Sequence, residues 1–155
     1  MMKAMLFSLA CYIPMSGASD EVNIRLAGKI TPRCEFSTAA ESLLFDATGF
    51  ANTELTINCN APIKIALLSK NGGLRHQQSN LIEAYFFTMK LPGSDMDITE
   101  QAKDLMLEKS YVIDEIFFDT TAQLEFQLEK PLLFAGEYND VLRIEVTPSA
   151  LIGGI

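Results

Sequence analysis

The sequence predicts an all-β fold, a β-sandwich with a short helical insertion, and three observations carry that prediction. Short segments alternate apolar and polar side chains with period two, the pattern of strands buried on one face. Turn-forming residues punctuate the chain at intervals of roughly ten residues, giving roughly seven to nine short strands, the rhythm of a sandwich. Two cysteines, Cys34 and Cys59, remain after an expected export signal, and small exported domains use such a pair as a staple.

A chain of 155 residues suits one domain with a real core, and 48% hydrophobic against 21% charged residues is a globular balance. The net charge of −8 and the scattered basic residues exclude a nucleic-acid partner, since nothing here would neutralise phosphates. Residues 1–18 read as an export signal: Lys3, then the apolar run Ala4 to Met15, then the small residues Ser16-Gly17-Ala18 before a cut at Ser19. The run is about a dozen residues, too short to span a bilayer as a helix. Cys11 would leave with the signal. Ser8-Leu9-Ala10-Cys11 is a poor lipoprotein box, because Ser8 stands where an aliphatic residue is usual.

The first mature stretch, Glu21 to Cys34, is the most regular. Val22, Ile24, Leu26 and Ile30 share one face with Gly28 in the remaining slot, while Asn23, Arg25, Ala27 and Lys29 take the other. Such a ribbon needs a partner sheet to bury its apolar edge, in the same chain or in another molecule. Pro32 breaks it, and Cys34-Glu35-Phe36 begins the body. Ser42 to Asp46 is a short strand candidate. Thr53 to Asn60 alternates Leu55, Ile57 and Cys59 inward, so that Cys59 is placed to meet Cys34. Ile63 to Ser69 is the next strand, ended by the turn Lys70-Asn71-Gly72-Gly73. Leu81 to Leu91 is rich in β-formers and stops at Pro92-Gly93. Asp97-Ile98-Thr99-Glu100 resembles a helix start, and Ile98, Ala102, Leu105 and Met106 share a helical face, which predicts a short helix or helical turn there. Strands resume at Tyr111 to Phe118, Ala122 to Glu129 and Tyr138 to Thr147, with Pro148 ending the last.

Catalytic chemistry finds little support. His76 is the sole histidine and sits in the polar stretch Leu74 to Gln78, where a solvent-facing turn is expected. The acids Glu41 and Glu54, or Asp114, Glu115 and Asp119, lack the spacing or aromatic platform of a glycosidase. Asp95-Met96-Asp97 lacks the glycine and distal acid of a calcium loop. The chain is expected to be neither an enzyme nor a holder of a cofactor or metal.

Four quoted segments resemble one family. Leu26-Ala27-Gly28-Lys29-Ile30 leading to Cys34, then Leu43-Leu44-Phe45, then Leu55-Thr56-Ile57-Asn58-Cys59, and Ala135 to Leu142 followed by Ile144 and Val146, are similar to the subunits of chaperone–usher fimbriae (pilins), including spore-coat-U-like pilins. Two features depart from that pattern: Pro148 and an apolar tail replace the penultimate aromatic, and residues 97–109 form an unusual insertion. The resemblance implies an immunoglobulin-like sandwich lacking its last strand, over residues 33–155, preceded by a donor-strand extension at 19–32. Val22, Ile24, Leu26, Gly28 and Ile30 would be the subunit-binding strand, passed to a neighbouring pilin subunit after a periplasmic chaperone and an outer-membrane usher have handled it. A host or surface receptor would be the further partner of a tip subunit, and the destination the cell surface. The alternative is a self-contained exported β-sandwich binding module whose ribbon is its own first strand.

Overall fold

The computed structural model describes residues 21–149. The expected export signal, with Cys11, therefore lies outside the described residues. The chain divides into two compact units, residues 1–30 and 31–155. In the first, residues 21–30 form no regular secondary structure. The second is all β: β1 (Cys34–Thr38), β2 (Phe50–Cys59), β3 (Ile63–Ser69), β4 (Leu74–His76), β5 (Ile82–Glu83), β6 (Tyr85–Lys90), β7 (Ile98–Gln101), β8 (Lys109–Ile113), β9 (Thr120–Leu128), β10 (Tyr138–Asn139) and β11 (Leu142–Pro148).

These strands build a sandwich. A five-stranded antiparallel sheet runs β1-β2-β9-β6-β7, a three-stranded sheet runs β11-β3-β8, and a small third sheet runs β10-β4-β5. Alternation explains which sides face in. Leu55 and Ile57 on β2, Phe87 and Met89 on β6, and Ala122 and Leu124 on β9 meet Ile63, Ile65 and Leu67 of β3 and Val146 of β11, all buried. Each fully buried aliphatic side chain of this kind contributes about 1.5–3 kcal/mol relative to exposure.

Cys34 and Cys59 are directly opposite in the β1–β2 register and form a disulfide. That bond closes a loop spanning 25 positions and belongs to an oxidising compartment, so the folded chain is an exported protein rather than a cytoplasmic one. Among the described residues no helix is long and apolar enough to cross a membrane.

Three local expectations change. Ser42 to Asp46 is not a strand: Leu43 and Phe45 turn inward, Leu44 stands exposed, and the segment ends in a turn. There the Asp46 carboxylate accepts the Thr48 and Phe50 N–H groups at 2.8 and 3.0 Å, and Gly49 takes the positive φ of 76°. The helical insertion narrows to one 3-10 turn at Ala102–Leu105, because Ile98 to Gln101 pair with β6 as β7. Tertiary pairing there overrides the helix start read at Asp97.

His76 is the third change. It is buried on β4 instead of facing solvent. Its Nδ1 accepts the Gln78 N–H at 3.2 Å, which leaves Nε2–H to donate to the Ala135 carbonyl at 3.2 Å, and the Tyr138 ring packs edge-on against it. Pairing of β10 with β4 is what covers the imidazole.

Candidate functional site

The sandwich has two edge strands on one flank, β1 on the large sheet and β11 on the small one, and they do not pair with each other. Both edges meet the turn after β2 at one end: the Asn60 N–H bonds the Arg33 carbonyl, and the Ser149 N–H bonds the Pro62 carbonyl. From that end β1 runs outward and β11 runs inward, so the two edges are antiparallel. Between them lies a cleft of about 980 Å³.

Its walls and floor follow from residue size. Even positions of β1 face inward, yet Phe36 remains 47% exposed because nothing stands beyond it. Leu142 and Ile144 face in from β11 and stay only partly buried for the same reason. On the floor, the inward positions of β2 opposite Leu124 and Phe126 carry the small residues Thr53 and Ala51. A floor kept low by the small side chains of Ala51 and Thr53, between two edge strands, leaves apolar surface reachable from outside.

Among the described residues, one side of each wall's backbone also has no ladder partner. Lys70 N–H bonds the Val141 carbonyl and Ser149 N–H bonds the Pro62 carbonyl, so the odd residues of β11 serve the ladder to β3. By antiparallel alternation the N–H and C=O groups of Leu142, Ile144 and Val146 point into the cleft. On β1 the Arg33–Asn60 bond fixes the same alternation, and the groups of Phe36 point out of the β1–β2 ladder.

The far end of the cleft is polar and fixed. Asp140 accepts from Ser69 Oγ at 2.6 Å, from the Tyr85 hydroxyl at 2.8 Å and from the Asn71 N–H at 2.9 Å. Burial, and then the Asp140 charge, push the Tyr85 phenol far above its ordinary range, so it stays a donor. Glu41 and Glu137 add acidity at the rim, and among the described residues no Lys or Arg lines the cleft.

The residues singled out in the sequence divide into two groups. Cys34 and Cys59 pin the start of β1, one wall of the cleft, to β2. Val22, Ile24, Leu26 and Ile30 are 81%, 77%, 89% and 85% exposed, and Gly28 has open space around it. A lone ribbon without a ladder partner has no reason to hold strand geometry. Reading the sequence missed the cleft residues Phe36, Thr53, Phe126 and Asp140 and the buried state of His76; only the alternation of Leu142, Ile144 and Val146 pointed toward them. Among the described residues no three His, Cys, Asp or Glu side chains cluster as a metal site would require. Compared with known proteins, the chain matches no family model and no curated protein.

Proposed function

We propose that the chain is a structural or adhesive subunit of a bacterial surface fimbria, assembled by donor-strand exchange in the manner of chaperone–usher pilins. One observation carries the reading: an all-β sandwich with an apolar cleft between two edge strands, in a chain that also holds an exposed alternating ribbon at Val22, Ile24, Leu26 and Ile30. A strand laid in the cleft gains main-chain hydrogen bonds from β11 and buries its alternate side chains on the floor, which supplies affinity and register together. Four aliphatic anchors at about 1.5–3 kcal/mol each supply several kcal/mol before the cost of ordering the strand. A cleft left empty would invite aggregation, which is why a periplasmic chaperone and an outer-membrane usher belong to the reading. Head-to-tail contacts of this type do not close, so they build filaments.

The test is the size distribution of the secreted chain in unboiled and boiled denaturing gels. The fimbrial reading expects a ladder of multimers that collapses on boiling, and expects Leu26→Arg to abolish the ladder while the monomer still folds. A single band in both lanes would favour a self-contained exported binding module.

A further inference from the structure

We infer that Asn71 is a covalent modification site: its side chain deamidates through the backbone nitrogen of Gly72, and the hydrogen bonds around Asp140 hold that reaction off. The site lies at the polar end of the cleft, and its chemistry is the same whatever the cleft receives.

The reaction needs an asparagine whose successor leaves the next backbone nitrogen room to approach the amide. Asn71 is the one asparagine followed by glycine; the others precede Ile24, Thr53, Cys59, Ala61, Leu81 and Asp140. Packing puts the glycine there. Gly72 has a φ of 72°, and a Cβ on it would lie 2.8 Å from the Cγ and Sδ of Met106. The fold thus imposes a chemically labile pair on the turn that follows β3.

Water and ammonia balance the step. The Gly72 nitrogen gives up its proton and bonds Asn71 Cγ, the Cγ–Nδ2 bond breaks, and ammonia leaves with that proton. Water then opens the cyclic imide at either carbonyl, which yields aspartate or isoaspartate at 71. Nothing is oxidised or reduced.

The structure withholds both reactants. The buried Gly72 N–H donates to Ser69 Oγ at 2.9 Å, and Asn71 Nδ2 donates to the Asn139 carbonyl at 3.1 Å. Asp140 anchors the turn from two sides: Oδ2 accepts from Ser69 Oγ at 2.6 Å, and Oδ1 accepts the Asn71 N–H at 2.9 Å. The nitrogen can attack only after its proton leaves Ser69 and the amide leaves Asn139. Conversion therefore depends on how often this end of the cleft opens.

Conversion also removes a clamp. A carboxylate at 71 has no donor for the Asn139 carbonyl and sets a second negative charge near Asp140. Isoaspartate adds a methylene to the backbone and shifts the Gly72 N–H away from Ser69. Either product frees Asn139 and Asp140, which join β10 to β11 at the end of the cleft.

Peptide mapping by mass spectrometry tests this on the full chain, incubated at mildly alkaline pH with and without urea. In urea, Asn71 is expected to convert before every other asparagine. In the folded chain its conversion is expected to be at least about tenfold slower, because it then needs local opening. Ser69→Ala frees the Gly72 N–H and is expected to recover much of the urea rate. Cys34→Ser/Cys59→Ser loosens the opposite end of the cleft and is expected not to. Equal rates with and without urea would overturn the lock, a comparison that needs no variant to fold. Equal acceleration by the two variants would overturn it too, since global unfolding would then set the rate. Another asparagine converting first in urea would overturn the site. Hydrogen exchange at residues 138–142 is expected to quicken in the converted chain, and unchanged exchange there would overturn the clamp.

Discussion

On one flank of the sandwich the chain crosses from the large sheet to the small one through β7, the 3-10 turn and β8; on the other, the first and last strands face each other with no segment between them. The strands on both flanks are short, antiparallel and apolar on their inner face. What differs is the filling. The crossing at 102–105 drops Ala102 and Leu105 into the gap, both with no exposed surface. It is then latched by Glu100, which takes Lys109 Nζ at 2.6 Å and the Tyr111 hydroxyl at 2.5 Å. The open flank has no such plug. Phe45 leans toward Tyr85 with ring centroids 6.2 Å apart and covers only part of it. A sandwich is sealed where the chain itself supplies a side chain to the gap, and an unsealed flank is a place for another molecule's side chains.

The comparison is broken most sharply by truncating one residue on each flank. Leu105→Ala leaves a void in a sealed gap and is expected to cost about 2–5 kcal/mol. Leu142→Ala, on a wall that water already reaches, is expected to cost the monomer clearly less, about 1 kcal/mol, because less transfer energy is lost at a partly buried site. Urea unfolding of both variants at equal concentration measures the pair. Equal losses would mean that the open flank is packed as tightly as the closed one. In multimers the order should narrow, since Leu142 would then be covered.

Next in size is the disulfide. β1 is an edge strand paired to β2 alone, so its bond to Cys59 is the main brace on that wall of the cleft. Cys34→Ser/Cys59→Ser is expected to lower stability by about 3 kcal/mol on the loop-entropy account. It should also speed hydrogen exchange in β1 more than in β8, which has no such dependence.

Much of this fold was legible because burial on one face leaves a period-two imprint. β3 appears between the same residues in sequence and structure, and β2, β6, β9 and β11 lie within the stretches that alternate or lie close to their bounds. Misreadings fall where pairing, not local pattern, decides. Ser42 to Asp46 alternates like a strand but has no ladder partner. Ile98 to Gln101 has helical spacing but is recruited by β6. His76 looked solvent-facing because the covering strand, β10, is two residues long and leaves almost no sequence trace. An open cleft was implied only by the family resemblance, and its lining could not be read from local pattern for a deeper reason: it depends on which strands are edges. Ala51, Thr53 and Asn60 are ordinary residues until the register shows what stands beside them.

A smaller effect is expected at Gly136, beside the open flank. Its φ of 145° lies in the region that favours glycine, and a Cβ there would strike the His76 ring. Gly136→Ala should cost about 1–3 kcal/mol and loosen the turn between β9 and β10. Thermal unfolding with exchange mapping of residues 130–139 would measure it, and an unchanged melting temperature would mean that the turn reshapes freely.

The smallest effect separates the flanks by pH. Burial opposes it, but the bonds from Lys109 and Tyr111 together hold the Glu100 carboxyl below its ordinary 4.5. A carboxyl depressed in the folded state adds stability that is present above its unfolded pKa and is lost as pH falls through the folded one. The closed flank should therefore loosen below about pH 4.5, and Glu100→Gln should flatten that part of the stability curve. The open flank answers at the other end of the scale. Tyr85, raised by burial and by Asp140, adds stability below its unfolded pKa of 10.0 that is lost as pH rises beyond it. Tyr111 is raised as well, by burial and then by its bond to Glu100, so alkaline loss alone does not identify a flank. Tyr85→Phe resolves this. It removes the hydroxyl facing Asp140 and leaves the Glu100 latch intact, so it should cut the alkaline slope while the acid limb of the curve stays where it was.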